Sequence, residues 1–443
     1  MIRKLIGTLA VSLWVIMGTA FAAATVGGRD ADFHSRYQLQ KMMVLSRHNL
    51  RSPLSGGDSD LGKVTPHRWF SWTSAPSELS LKGEQLETIM GQYFRRWLTA
   101  EGLITENYLP KEGEMWFYAN SKQRTIATAR HFSASMLPMA DVTVEHKYAP
   151  ESSDRMFSPR FFFMNDAYQT KILAEISQVY KEKDMEKKFS AAFKPLEKVL
   201  DFKESPIAKK KGWEHFSAED SKIRLKKDKQ PSIKGSLELA HSAAEALTLQ
   251  YYEETDNKKA GFGHKLTAKE WEQIGSIKDM YYEMLFSPSS VNVNVAHPLL
   301  QLMQEELSQE GRKFTFLCGH DTNLVTILAA LGVEDYSLPQ AIERKTPIGA
   351  KFVIGKWTSK DGREYASLDL IYQSVDQLRN RTTLTLDNPP MIYHLKLKDL
   401  RETGDGLYLW TDLQQRFQRA LEAYEELQRE TGAANEAEEK KAA

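Results

Sequence analysis

Arg47-His48-Asn49-Leu50-Arg51-Ser52-Pro53 follows directly on the apolar run Met42-Met43-Val44-Leu45. The run is short, uninterrupted by polar residues and succeeded by turn chemistry, so it reads as a buried strand. A strand that ends in a polar loop presents its last side chains at the carboxyl edge of the sheet, where open α/β proteins bind ligands. In a core, Arg47 and Arg51 would each need a partner anion. Around a phosphate they make sense, because guanidinium forks grip its oxygens through paired hydrogen bonds. The imidazole of His48 between them is largely neutral near pH 7 and suits nucleophilic attack on phosphorus.

A second element of the same kind lies far downstream. Lys313-Phe314-Thr315-Phe316-Leu317-Cys318 reads as another buried strand and runs into Gly319-His320-Asp321-Thr322-Asn323. Residues 324–331 read as a helix stopped by Gly332. His320 and Asp321 therefore sit at a strand-to-helix turn, where backbone N–H groups and the positive end of the helix dipole favour an anion. Asp321 can cap that helix or donate a proton, and the two roles can coexist. A third strand, Met115-Trp116-Phe117-Tyr118-Ala119, leads to Arg124 on a loop at a helix start.

Elsewhere the periodicity predicts a helix over 82–100, helical structure without strands through 155–290 with its clearest helix at 236–254, and a terminal helix over 412–429. Residues 351–357 and 364–372 flank a turn containing Asp361-Gly362, which signals a hairpin. The sheet should therefore be mixed, with a further short strand at 391–396. The expected organisation is a leader over 1–24, an α/β catalytic domain built from 25–154 and 291–430, an inserted smaller α-helical domain over 155–290, and a disordered tail over 431–443.

The two distant elements together resemble the histidine acid phosphatases, branch 2 of the histidine phosphatase superfamily, whose motif is Arg-His-Gly-X-Arg-X-Pro with a remote His-Asp pair. Leu79-Ser80-Leu81-Lys82-Gly83 and Asn120-Ser121-Lys122-Gln123-Arg124-Thr125 extend the likeness. The usual glycine after the histidine is Asn49 here, which is similar to the periplasmic glucose-1-phosphatase subgroup. Leu249-Gln250-Tyr251-Tyr252-Glu253, Thr346-Pro347-Ile348-Gly349 and Gln377-Leu378-Arg379-Asn380 resemble the same subgroup. The resemblance implies a phosphoglycerate mutase-like α/β fold with a mixed central sheet flanked by helices. It implies His48 as nucleophile through a phosphohistidine, Arg47, Arg51, Arg124 and His320 as phosphate ligands, and Asp321 as the acid that protonates the leaving alkoxide. Glu253 and Asn49 become candidates for a specificity gate, although Glu253 reads equally well as an exposed helix-end carboxylate. No cofactor and no metal is expected, since arginines can neutralise the phosphate charge. The implied activity is that of an acid phosphatase on sugar phosphates, with phytate hydrolysis as the alternative and a non-catalytic binder of phosphorylated ligands as the reading from another class.

Bulk properties agree with a small-molecule partner. Lys and Arg total 59 and Asp and Glu 59, so the chain lacks the basic excess of a nucleic-acid binder. Arg3 and Lys4, the mostly apolar 5–21 and the alanine-rich stretch 20–24 form a secretory signal pattern, which implies a periplasmic place and no membrane attachment after cleavage. The single cysteine, Cys318, excludes an internal disulfide and reads as a small buried hydrophobe. The remaining histidines, among them His67, His131, His146, His241 and His297, show no metal-ligand spacing along the chain. Lys209-Lys210-Lys211 and the basic 222–229 read as a solvated face or mobile loop.

Overall fold

The computed structural model describes residues 25–149, 151–152 and 154–433. The leader expected over 1–24 and the tail from 434 lie outside the described residues. The first residues of that expected tail are tied down: Thr431 Oγ1 donates to Leu427 O (2.7 Å), and Asn165 Nδ2 donates to Thr431 O (2.9 Å).

In chain order the strands are β1 (Tyr37–Arg47), β2 (Met115–Ala119), β3 (Lys222–Arg224), β4 (Ser232–Lys234), β5 (Phe314–Gly319), β6 (Lys351–Ser359), β7 (Glu364–Tyr372), β8 (Met391–His394) and β9 (Tyr408–Leu409). The main sheet runs β2-β5-β1-β6-β7-β8, with β9 also on β7. β2, β5 and β1 are mutually parallel, whereas β6, β7, β8 and β9 join antiparallel, so the sheet is mixed.

β1 is buried on both faces through Met42–Leu45, as an unbroken apolar strand between two helical layers should be. On one face Met42, Val44, Phe314 and Phe316 meet Phe94 and Trp97 of helix Leu81–Ala100 and Phe132 of helix Gln123–Met136. On the other, Met43, Leu45 and Leu317 meet Leu324 and Ile327 of helix Asp321–Ala330 and Phe417 of helix Trp410–Glu430. Phe132 stacks on Phe316 at 4.2 Å, and truncating such a ring to alanine costs about 3–5 kcal/mol.

The third core belongs to the helical region, where Ala240, Ala243, Ala244 and Leu247 of helix Ser236–Glu253 pack with Ile274 and Ile277 of helix Ala268–Phe286. One expectation for this region is corrected. β3 and β4 form a hairpin, with Ile223 opposite Ile233, inside the stretch read as strandless and partly as a mobile loop. Three-residue strands in a lysine-rich segment carry too little alternation to register against the charges. Among the described residues no helix is long and apolar enough to cross a membrane.

Candidate active site

Register brings the separated motifs together. Arg47 lies opposite Gly319 across β1 and β5, and Ala119 lies opposite Cys318 across β2 and β5. His48, His320 and Asn120 are therefore the first residues past the ends of three neighbouring parallel strands. His48 N donates to Gly319 O (3.0 Å), and Gly349 N donates to His48 O (3.2 Å), which pins the backbone on both sides. Gly83 serves the same loop, because a Cβ there would lie 2.1 Å from Leu50 O. Ser80 Oγ accepts from Gly83 N at the opening of helix Leu81–Ala100.

The imidazole of His48 is buried and its tautomer is set. Nδ1 lies 2.9 Å from Asn49 O. A carbonyl only accepts, so Nδ1 carries the proton and Nε2 keeps its lone pair. Burial, then Arg124, Arg51, His320 and Arg47, push its pKa well below the ordinary imidazole value. The neutral form of the ring is thus favoured. The His320 ring stands 5.5 Å away at 71°.

The arginines converge around it. Arg47 Nη1 donates to Glu343 Oε1 (2.6 Å) and to Thr346 O (2.7 Å), while Nη2 lies 3.2 Å from Asp321 Oδ2. Burial opposes the Arg47 charge, but Glu343 and Asp321 hold it firmly protonated. Arg51 donates to Ser52 O (2.9 Å) and Glu245 Oε1 (2.8 Å). Arg124 Nη2 reaches His320 Nδ1 at 3.5 Å, and burial followed by repulsion from Arg51 pushes its pKa down to about 10. Arg47 Nε and Nη2, Arg51 Nε and Arg124 Nε have no hydrogen-bond partner among the described residues. Buried donors left this way cost about 1–3 kcal/mol each, so their gathering near one imidazole makes this a candidate anion site.

Asp321 is the first residue of its helix, and its two oxygens divide the work. Oδ1 accepts from Thr322 N (2.9 Å), and Oδ2 faces Arg47 Nη2 and Lys278 Nζ, both at 3.2 Å. Burial would raise its pKa, but Arg47, Lys278, His48 and His320 hold it well below the carboxylate range. His320 caps the same helix: its N–H donates to Asn323 Oδ1 (2.8 Å), and Nε2 lies 2.6 Å from Asn120 Nδ2.

Lys278, Glu245, Glu343 and Asn120 are site residues that sequence reasoning missed. Lys278 is buried between Asp321 and Glu343, which it pairs with at once. It lies on helix Ala268–Phe286, where periodicity assigns a lysine to solvent. Glu245 carried a usable signal, since it stands between Ala243-Ala244 and Ala246-Leu247 on an otherwise buried helix. Glu343 precedes the Thr346-Pro347-Ile348-Gly349 stretch by only three residues, and its Oε2 accepts from Ile348 N (3.0 Å).

The two residues expected as a specificity gate have the following surroundings in the fold. Glu253 accepts from Ser80 Oγ (3.0 Å), and burial raises its pKa. It is eight residues past Glu245 on one helix, or about 12 Å along the axis. Asn49 turns into the scaffold: Nδ2 donates to Glu87 Oε2 (2.7 Å), and Oδ1 accepts from Leu50 N (2.8 Å). A Cβ at Gly349, which has φ +69°, would crowd Asn49 Nδ2 to 2.7 Å. Cys318 is fully buried, and burial raises its thiol pKa well above normal. Among the described residues, no trio of metal-ligating side chains gathers in this site; the one such trio, His67, Asp201 and His264, lies apart from it.

Known proteins resemble this chain in sequence and in fold. The chain is 33% identical over 390 residues to a glucose-1-phosphatase of Providencia rettgeri, covering 87% of this chain and 92% of that protein. It is 26% identical over 390 residues to phytase AppA of Escherichia coli, covering 82% and 88% respectively. The apo Hafnia alvei phytase superposes with a TM-score of 0.79 at 24% identity, over 88% of this chain and 98% of that one, which shows the fold. The model of branch 2 of the histidine phosphatase superfamily matches residues 38–373. With β1 ending in Arg47-His48 and β5 leading into His320-Asp321 at one sheet edge, the chain belongs to branch 2 of the histidine phosphatase superfamily.

Proposed function

We propose that this phosphatase hydrolyses phosphomonoesters through a phosphorylated His48, with glucose 1-phosphate and related sugar phosphates as its substrates. The observation that carries the chemistry is the unprotonated Nε2 of His48 among arginines whose Nε–H groups lack hydrogen-bond partners. In this reading Nε2 attacks phosphorus in line while Arg47, Arg51, Arg124 and His320 take the phosphoryl oxygens and the charge that spreads onto them. Asp321 gives its proton to the departing alkoxide, and water then displaces phosphate from His48.

Charge explains how Asp321 acquires that proton. Arg47, Arg51, Arg124 and Lys278 face Glu245, Asp321 and Glu343, so the resting site carries one net positive charge. A phosphomonoester brings close to two negative charges. Binding it favours uptake of a proton, and Asp321 gains most when the new anion draws on the same arginine.

The substrate choice rests on the higher identity to the glucose-1-phosphatase than to phytase AppA, 33% against 26%. Asn49, buried against Glu87, gives no contact-based argument for it. The expected leader over 1–24 supports a periplasmic location. The test is a comparison of kcat/KM for glucose 1-phosphate and phytate, with acid- and base-quenched samples assayed for phosphoenzyme. Preferred turnover of glucose 1-phosphate and a base-stable, acid-labile phosphoenzyme are expected. Faster phytate turnover would replace the substrate reading, and absence of a phosphoenzyme at saturating substrate under single-turnover conditions would sink the mechanism. Turnover should survive chelators, because every charge that faces the phosphate in this mechanism is an amino-acid side chain.

A further inference from the structure

Away from the catalytic edge, three segments remote in sequence meet at one carboxylate oxygen. His67 belongs to the connection between the Arg47–Pro53 motif and helix Leu81–Ala100. Asp201 closes helix Met185–Leu200, and His264 follows the short helix Asn257–Ala260. His67 Nε2 lies 2.7 Å and His264 Nε2 3.2 Å from the same Asp201 Oδ2, and one ligand atom from each residue lies within 4.8 Å of the others. We propose that His67, Asp201 and His264 bind a divalent transition-metal ion of the zinc class, clamping the segment after the catalytic motif to the helical region.

Two imidazoles and one carboxylate form a donor set that suits zinc, whereas magnesium and calcium want oxygen. Tetrahedral zinc with ligand bonds of about 2.0–2.2 Å spaces neighbouring donors about 3.3 Å apart, so little movement separates the present arrangement from a bound one. The competing reading, in which both rings merely donate hydrogen bonds to Asp201, involves the same three atoms, and only ion binding separates the two.

The supports are already in place. The backbone of Asp201 is held in the left-handed region at φ 44° by its N–H bonds to Glu197 and Lys198 carbonyls. His67 stacks on Phe262 at 5.3 Å and 17°, and Trp69 meets the same ring edge-on at 5.1 Å. The side chains of His67, Asp201 and His264 are 31%, 41% and 28% exposed, which gives an ion a route in and leaves a position for water. The segment carrying His67 is docked nearby through Ile207 N to Lys63 O (3.1 Å) and Phe70 N to Gln250 Oε1 (2.9 Å). An ion at this point would reinforce a seam the fold already makes. The absence of metal-ligand spacing along the chain was therefore no guide, because the ligands are gathered by tertiary structure.

The experiment uses the full chain without an affinity tag. Zn²⁺ is titrated calorimetrically, Co²⁺ binding is followed by its visible absorption, and thermal unfolding is recorded with and without Zn²⁺. One ion per chain is expected, bound at least about ten-fold more weakly by His67→Ala and by His264→Ala. The Zn²⁺-induced rise in Tm should disappear in both variants. His215→Ala, at a histidine paired with Glu197 outside the trio, should bind as the parent does. If the alanine variants fold poorly, His67→Gln and Asp201→Asn carry the same comparison. Parental affinity in the trio variants, or no ion bound at millimolar Zn²⁺, overturns the proposal. Glucose 1-phosphate turnover with and without the ion should be equal, which keeps this test separate from the catalytic reading.

Discussion

Two ionic networks are buried at neighbouring positions of β1, and they use their nitrogens differently. Behind Ser46, Lys351 Nζ lies 2.8 Å from Glu87 Oε1 and donates to Ser46 Oγ (3.2 Å) and Gly349 O (3.1 Å), so all three of its N–H bonds have an oxygen. Asn49 closes that network by donating to the other Glu87 oxygen. One residue on, Arg47, Arg51 and Arg124 crowd together, and the Nε–H of each has no hydrogen-bond partner among the described residues. The first network is finished by the chain itself and holds helix Leu81–Ala100 to β6. The second has donors left over, which the proposed phosphate would take up. Both are buried charge clusters, so burial alone does not find the site; unspent donor capacity does.

If that contrast is sound, damage to the open network should remove chemistry and leave the fold. The largest effect is expected from His48→Ala, with turnover falling on the order of 10⁴-fold or more. Thermal unfolding should remain close to parental; appreciable residual turnover would remove His48 as nucleophile. Asp321→Asn comes next, with a loss on the order of 10²–10⁴-fold for alkyl phosphates and much less for aryl phosphates, whose leaving groups need no proton. Equal losses on the two substrate types, measured as kcat, would mean that the acid is another group.

How much of this was legible in the sequence follows the same division. Met42–Leu45 and 314–318 declared themselves as strands because central parallel strands bury both faces and so read as unbroken apolar runs, and the edge strand Met115–Ala119 shared the apolar and aromatic composition although Met115 and Trp116 are only partly buried. Arg47, His48, Arg51, Arg124, His320 and Asp321 stood out because each follows such a run, and pairing in register then places them at one edge. Lys278 was hidden because it comes from a helix of another core, where no local pattern says that a lysine faces inward, whereas Glu245 carried a signal in its apolar neighbours that went unused. Asn49 was noticed for its place in the motif, and its side-chain contacts were not legible there. The acceptor of its amide, Glu87, lies thirty-eight residues away in the sequence. His67, Asp201 and His264 share no periodicity at all, and only packing unites them.

The closed network should respond in the opposite sense. Lys351→Met leaves Glu87 buried without its cation, which costs about 3–5 kcal/mol of stability by urea unfolding. Glu87→Leu combined with Lys351→Met should recover much of that loss, since an apolar pair of similar volume can replace a buried ion pair. Correctly folded molecules of either variant should keep most of their turnover. A double variant as unstable as the single one would mean that Asn49, left without its acceptor, matters more than the ion pair.

The smallest effect is also the finest discriminator between the networks. Arg124 is the leading charge that opposes protonation of His48, after burial itself. Arg124→Ala removes a nearby positive charge, so the imidazolium becomes easier to form and the His48 pKa must rise. The rise should be partial, because burial remains. His48 would then lose its free Nε2 lone pair at a higher pH, and the acid limb of kcat/KM should move up with it. The measurement is the His48 Cε1–H chemical shift against pH in the free protein, which is independent of the role of Arg124 in holding substrate. Lys351→Met, at a cation that is not among the leading causes of the His48 shift, should leave that titration in place. Equal displacement in both variants would show that the two networks are one electrostatic unit, and that the line drawn between Ser46 and Arg47 has no physical meaning.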